Sequence, residues 1–537
     1  MLKQFKLKML IGSVLAILLV ACSGENNEDV AVEENDNFNK EGFPIVDESI
    51  ELSFFTGKQP TTADDYNEVT VWKNYNEMTN VDIDWELVLN DGLEEKKNLA
   101  LSGDNKPDVF YTASMSNEEL VKHGDQGTFI DLDELIDEYM PNLKAILDEN
   151  PDIRKGITFP DGNVYGLPTI YDPDFSSLII GAKPWINKTW LDELGMDIPE
   201  TTDEFYDYLK GVRDTNLTGT DDEEIPFGGV GISGLRNMLS GAFGINNNGI
   251  AEFYVDIEEG SDDLRFIPTT DGYKEMLEYM HMLYSEGLIH ESIFSIETND
   301  SYALGSKGLY GSVMLTSPDT IYGSEAGENY VGMPPLEGPH GDRDYVAVGS
   351  SLRGMAGFSI TNENEHVPET LRWMDYFYSD EGTEMYFMGE EGVTYEETDD
   401  GDVEYVDDIL HSDDGLSMEQ NLKPHITWLG GGYPGIVKED YFKGAESKKE
   451  GIEAAEKLEP YLVEDRFPSF TYTPEENKRM SILSSDIEKY ADEMLDKFVV
   501  GEKSFDEWDD YVDTITKMGL EEYMEIKQSA YERFIDN

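Results

Sequence analysis

Five short segments near the front of the chain alternate in kind, and their spacing limits the fold more than any other feature of the sequence. Ile50 to Phe55 is a β-rich run, Tyr66 to Met78 carries Val69, Trp72 and Met78 at roughly helical spacing, and Val81, Ile83, Trp85 and Leu87 alternate as in a strand. Gly92 to Leu101 reads as helix, and Pro107-Asp108-Val109-Phe110-Tyr111 as a buried strand ending in small polar residues. Strand, helix and strand joined by links this short predict a parallel doubly wound sheet, whose ligands sit outside the carboxyl ends of its strands. Those ends are Thr56 to Gln59 and Tyr111 to Ser114.

With 537 residues the chain has length for two to four domains. From Thr128 to about Pro335 the texture shifts to helices punctuated by Gly, Pro and Asp, as a second lobe would show. Asn187 precedes a helix stopped by Gly195, and Thr201 with Glu204 reads as a capping box. Near the end, Thr473-Pro474 opens a helix with Met480, Leu483, Ile487, Tyr490, Met494 and Phe498 on one stripe. Ser504 with Glu507 caps the next helix, which ends before Gly519.

The first residues stand apart from this fold. Lys3, Lys6 and Lys8 precede an apolar run from Met9 to Val20, too short for the roughly 20 residues that span a bilayer. Leu19-Val20-Ala21-Cys22 follows and resembles the lipobox of bacterial lipoproteins, which implies cleavage after residue 21 and acylation of Cys22 on its sulfur and its new amino group. Cys22 is the only cysteine, so the exported chain has no disulfide and depends on its core. Residues 22–45 are rich in Asn and acids and poor in large apolar side chains, as a flexible tether would be.

The 114 Asp and Glu against 39 Lys and Arg give a net charge of −75, a field that repels phosphate backbones, so nucleic acid is excluded as a partner. With 39% hydrophobic residues the chain still builds cores, and the acidic skin reads as adaptation to high salt. Catalytic signatures are sparse. The seven histidines form no HExxH and no pair at metal-ligand spacing, GxSxG is absent, and Gly228-Gly229-Val230-Gly231 lacks the Lys-Ser/Thr of a phosphate loop. Paired acids for glycoside hydrolysis remain open by counting, because a chain this acidic supplies pairs by chance.

Several phrases together carry a resemblance: Pro107-Asp108-Val109-Phe110, Val164-Tyr165-Gly166-Leu167-Pro168, Ile186-Asn187-Lys188-Thr189-Trp190-Leu191-Asp192-Glu193-Leu194-Gly195, and Pro199-Glu200-Thr201-Thr202-Asp203-Glu204-Phe205. With the lipobox, the acidic tether and the late phrases Phe505-Asp506-Glu507-Trp508 and Lys517-Met518-Gly519-Leu520-Glu521-Glu522-Tyr523, the chain resembles the family 1 extracellular solute-binding proteins, and among them the long lipoprotein subgroup of Gram-positive bacteria. The resemblance implies a two-lobe α/β periplasmic-binding-protein-like fold, with doubly wound sheets joined by a hinge and extra C-terminal helices. Its lobes would be residues 46–128 with 336–380, and residues 129–335, with residues 381–537 packing on both. It implies a lipid-anchored monomer outside the cell, not an enzyme, that captures an oligosaccharide and delivers it to the permease subunits of an ABC importer. A non-sugar solute such as a peptide, or a secreted polysaccharide-active enzyme, is the alternative.

The ligand residues follow from the loops that family topology turns into the cleft: Lys58, Gln59, Tyr111 and Ser114 from the first lobe, Tyr171, Asp172 and Asp174 from the second, Arg353 at the hinge, and Trp428 with Tyr433 around a glycine run. Sugar sites join aromatic platforms to short polar groups, and Lys58 and Arg353 would tolerate a uronate. Oxygen-bearing side chains at Asp214, Asn216, Thr218 and Asp222, with Gly219 and the carbonyl of Thr220, alternate as in a Ca²⁺ loop. Ile225 stands where the closing bidentate Glu belongs, so Glu223 or Glu224 would close the shell early, with Glu223 the expected ligand. Related long solute-binding proteins carry a similar loop ending in Asp-Glu-Ile-Pro that holds structural calcium; an acidic surface turn is the other reading.

Overall fold

Leu52, Phe54, Phe55 and Thr56 are all buried because the strand that carries them, β1 (Ile50–Lys58), lies inside a sheet with helices on its faces. The computed structural model describes residues 36–536, apart from 221–222, 246–251, 259, 399–400, 412–415, 428–432 and 464–466. After β1 come β2 (Val81–Leu89), β3 (Val109–Tyr111), β4 (Leu167–Tyr171), β5 (Lys183–Asn187), β6 (Ile225–Phe227), β7 (Tyr310–Leu315), β8 (Tyr330–Gly332), β9 (Leu352–Ile360) and β10 (Gly435–Val437). They build two sheets, one ordered β10-β4-β9-β3-β1-β2 and the other β8-β5-β7-β6. The fold is a two-lobe α/β architecture with one sheet in each lobe. Among the described residues, no helix is long and apolar enough to cross a membrane.

β1 pairs in parallel with β2 and β3, with Phe54 opposite both Trp85 and Val109. β2 is the edge strand, so one of its faces meets solvent, and that explains the alternation of buried Val81 and Ile83 with exposed Asp82 and Asp84. The sheet is mixed, however, and not wholly parallel: β9 runs antiparallel to both β3 and β4. It enters from the other lobe, so no crossover helix dictates its direction.

The core of the first lobe is aromatic. Trp72 stacks on Trp373 with centroids 5.6 Å apart, Phe54 meets the edge of Trp373 at 5.2 Å, and the Tyr75 hydroxyl donates to the Trp373 carbonyl at 2.7 Å. The helix Val367–Asp375 therefore completes the core that β1 and the helix Thr70–Thr79 begin.

Residue 129 is not where the chain leaves this lobe. β4 is a strand of the first sheet, and the helices Asp133–Tyr139 and Pro141–Glu149 pack beside Val367–Asp375. Met140 offers no side-chain cap to the helix that starts at Pro141, and Asp375 supplies one from across the fold, accepting from the Asn142 and Leu143 N–H groups at 3.1 and 2.9 Å. The chain leaves the first sheet after Tyr171 and returns to it twice, through β9 and again through β10. The tether also ends before residue 45: Phe38 meets Tyr139, Phe43 meets Tyr376, Ile45 is buried, and Arg372 donates to the carbonyls of Asn39 and Gly42. Those aromatic anchors outweigh the polar composition around them.

The helices Thr202–Asp214 and Ser233–Leu239 pack on the second sheet, Asp271–Ser285 shares their core, and the 27-residue helix Pro474–Val500 packs on Asp271–Ser285. Thr473 and Glu476 form the reciprocal box that opens this long helix. Thr201 caps its helix through the Glu204 N–H, while the Glu204 carboxylate takes the Glu200 N–H instead of closing a box.

Burial raises the Asp375 carboxyl from 3.8 to about 6, against the N–H donors that favour its charged form. Between those values the folded protein holds a proton that the unfolded chain has released, so this residue makes stability fall as pH rises from about 4 to 6. Asp375→Asn keeps an acceptor for the cap and cannot ionise. Urea unfolding of both proteins across that window should show the native chain losing stability relative to the variant; parallel profiles would refute the assignment.

Candidate functional site

Parallel strands place their carboxyl ends on one edge of the first sheet, and β9, running the other way, brings its start to the same edge. A cavity of about 240 Å³ lies there. β1 contributes Gly57 and Lys58, followed by Gln59; β3 contributes Tyr111, followed by Thr112 and Ser114. Thr169 comes from β4, the stretch Gly354–Gly357 from β9, and Asn90 from just beyond β2. Tyr66, Tyr386 and Tyr433 complete the aromatic walls.

The turn after β3 is strained. Thr112 and Ser114 have φ of 43° and 53°, a left-handed region that a β-branched residue seldom enters. Three contacts hold it: the Thr112 N–H donates to the Gly357 carbonyl at 2.8 Å, the Thr112 and Thr56 hydroxyls lie 3.0 Å apart, and the Lys97 ammonium donates to the Ser114 carbonyl at 3.0 Å. Lys97 is 1% exposed and also binds the Glu119 carboxylate at 2.8 Å and that of Glu94 at 2.9 Å. Gly57 lets these elements approach, since a Cβ there would lie 2.7 Å from the Leu93 side chain and 3.1 Å from the Thr112 carbonyl.

The walls are polar, and Lys58 is the one charged side chain among the described residues that line them. Burial lifts the phenols of Tyr66, Tyr111, Tyr386 and Tyr433 above their ordinary range, so all four stay neutral. Tyr386 and Tyr433 pack with centroids 4.2 Å apart, and the Tyr433 hydroxyl is held by the Phe377 carbonyl at 2.8 Å. Lys58 is buried, and its ammonium donates to the Ala63 carbonyl and the Asp64 carboxylate, each at 3.0 Å.

Of the residues read from the sequence, the structure brings Lys58, Gln59, Tyr111, Ser114 and Tyr433 together around this cavity. Tyr171, Asp172 and Asp174 lie elsewhere, where the chain leaves β4. The Tyr171 N–H is taken by the Ser351 carbonyl, and Asp172 and Asp174 form a local turn, with the Asp174 N–H on the Asp172 carboxylate at 3.0 Å. Arg353 is exposed, beside Gly354 but not lining the cavity, and Trp428 lies outside the described residues. Reading from the sequence misses Tyr66, Asn90, Thr169 and Tyr386, which reach the cavity through tertiary packing, and it misses Lys97 beneath it.

The loop after Asp214 is closed upon itself. Both Asp214 oxygens are bound by Arg213, at 2.8 and 3.1 Å. The Asn216 amide spans the turn, accepting from the Gly219 N–H at 2.8 Å and donating to the Thr220 carbonyl at 2.9 Å. The inward carboxylate is Glu224, not Glu223, which is exposed: Glu224 accepts from the Leu217 and Thr218 N–H groups at 2.6 and 2.7 Å and from the Thr218 hydroxyl at 3.0 Å. Burial works against its charge, but those donors hold its carboxyl below the usual range. Asp222 lies outside the described residues, among which no three His, Cys, Asp or Glu side chains are grouped as for a metal ion.

Residues 59–384, from the cavity's Gln59 past β9, match the family model of the bacterial extracellular solute-binding proteins. The chain belongs to that family. As a solute-binding protein it is 28% identical to the fructooligosaccharide ABC transporter substrate-binding protein FusA of Streptococcus pneumoniae serotype 4, over 99% of this chain and 98% of FusA. The solved structure of FusA in complex with kestose superposes with a TM-score of 0.72 at 26% identity, covering 91% of this chain and 100% of that one. A FusA EF-hand mutant in complex with fructo-nystose gives 0.70 at 27% identity over the same shares. The chain is also 24% identical to the polygalacturonan/rhamnogalacturonan-binding protein YtcQ of Bacillus subtilis, over 61% of this chain and 64% of YtcQ, and 23% identical to lipoprotein LipO of the same species, over 73% and 76%.

Proposed function

We propose that this protein captures an oligosaccharide in the first-lobe cavity and its cleft and hands it to the permease of an ABC importer, with no bond made or broken. The observation that carries the reading is the cavity itself, where hydroxyls, an amide and neutral phenols gather at the strand ends, together with whole-length similarity to FusA, a binding component for fructooligosaccharides. Sugars present hydroxyl rims and apolar faces, which such walls complement. Fructooligosaccharides of three and four residues, tested by thermal shift and calorimetry beside a peptide library, should stabilise the folded protein by about 2.7 kcal/mol at a hundredfold excess over Kd. Stabilisation by peptides and by no sugar would overturn the assignment.

The protein is anchored outside the cell through acylated Cys22, a reading supported by the lipobox and by the lipoprotein relative LipO. Cys22 lies outside the described residues. Cys22→Ser should shift the protein from the membrane fraction to the medium; retention in the membrane would contradict the anchor.

The loop from Asp214 to Glu224 binds structural Ca²⁺, supported by its oxygen spacing and by the EF-hand of its relative FusA. Asp214, Asn216, Thr218, the Thr220 carbonyl, Asp222 and Glu224 would hold the ion, and Arg213 would have to release Asp214. A chelator should then lower the melting temperature of the native protein but not that of Asp214→Ala; identical melting of the native protein with and without chelator would exclude the site.

A further inference from the structure

The relatives include binders of both neutral and acidic polysaccharide, so the family leaves open which kind this cavity takes. Its lining differs in character from the rest of the molecule. Asp and Glu make up 114 of the 537 residues, yet none of the described residues lining the cavity is acidic. Two larger cavities have a different character. One of about 460 Å³ is lined by Glu384, Glu397, Asp402, Glu439 and Asp440 among others, and one of about 1170 Å³ by Glu149, Asp152, Glu258 and Asp262 among others. The absence of carboxylates separates this site from both of those larger cavities.

Lys58 is the one cation lining it among the described residues, and its charge is already matched. The ammonium binds Asp64 and the Ala63 carbonyl, each at 3.0 Å, and Asp64 lies on the solvent side of the pair, outside the lining. The second cation suggested by the sequence, Arg353, does not line the cavity.

We propose that Asp64 is a specificity-determining residue: by neutralising Lys58 it makes the cavity select an uncharged sugar ring and reject a uronate. This rests on the oligosaccharide reading above and deepens it. A carboxylate entering the cavity loses its hydration and finds no free cation to pair with, which is costly in a desolvated site, whereas ring hydroxyls find partners in Asn90, Thr112, Ser114 and the tyrosines. The repulsion of the acidic surface acts in the same direction, but salt screens it beyond about a Debye length, so the short-range pairing decides. At about 240 Å³ the cavity is smaller than the roughly 300–1,000 Å³ of sites that enclose a whole drug-sized ligand, so it takes one ring at the end of the chain.

The test titrates the full mature chain with neutral fructo-, gluco- and galacto-oligosaccharides of three to five residues and with oligogalacturonates of the same lengths, at low and high salt. The native protein should bind its best neutral sugar roughly 100-fold more tightly than any oligogalacturonate, with the gap persisting at high salt. In Asp64→Asn the freed ammonium should narrow that gap by about tenfold through tighter uronate binding. Oligogalacturonates binding the native protein as tightly as neutral sugars would overturn the proposal and leave the oligosaccharide reading standing. So would an unchanged gap in an Asp64→Asn protein with a native circular dichroism spectrum. If that variant does not fold, the native comparison at both salt concentrations decides by itself. Binding of neither class would overturn the oligosaccharide reading and this proposal with it.

Discussion

The buried Lys97 ammonium, with the Thr112 contacts to Gly357 and Thr56, holds the turn at the edge of the first sheet where the cavity lies. Lys97 reaches from the helix Leu93–Ser102 to the carbonyl of Ser114, and its charge is balanced by Glu119 and Glu94. The two left-handed residues it steadies each cost on the order of 1–3 kcal/mol, so the turn persists only because its surroundings over-determine it. The direction of Tyr111 at the end of β3, the placing of Thr112 against β9 and the mouth of the cavity all follow from that turn. Removing this ammonium would leave the Ser114 carbonyl without its donor and would leave the partly exposed Glu119 with only its capping contacts to the Ser116 N–H and hydroxyl.

The two lobes divide the labour of a chain with no disulfide. Aromatic packing among Phe54, Trp72 and Trp373 gives the first lobe a rigid floor, and the long helix Pro474–Val500 does the same for the second. The chain crosses between them after β4, before β9 and again after β10, on its way to Pro474–Val500. Charge is distributed with similar economy. The surface carries the excess of carboxylates, while the cavity keeps one compensated ion pair and a set of neutral donors and acceptors. An acidic exterior and a cavity without carboxylates are compatible because salt screens fields from the surface beyond a Debye length of about 8 Å at physiological ionic strength and about 3 Å at 1 M, so the nearest side chains dominate inside the cavity.

Local features of this fold were legible in the sequence. The alternation of strand and helix from Ile50 to Tyr111 predicts β1, β2 and β3, and strand ends point to Lys58, Gln59, Tyr111 and Ser114 at one edge. Caps at Asn187, Thr473 and Ser504 stand where their residue types place them. Features that depend on distant pairing were not legible. β4 and β10 join the first sheet through contacts that leave no local trace, the Asp375 cap reaches a helix 233 residues earlier in the chain, and Tyr386 enters the cavity from a helix with no binding signature. The choice between Glu223 and Glu224 in the loop turned on which side chain meets the Leu217 and Thr218 N–H groups, which spacing alone does not determine.

The hold of Lys97 on the turn after β3 shapes the cavity in advance of any ligand. Calorimetry on Lys97→Met with the best neutral oligosaccharide, alongside urea unfolding to establish that the variant remains folded, tests it most directly. The variant should be folded but less stable, with affinity lower by about tenfold or more and a larger entropic penalty on binding as the turn is ordered by the sugar. A folded variant that binds with native affinity would contradict it.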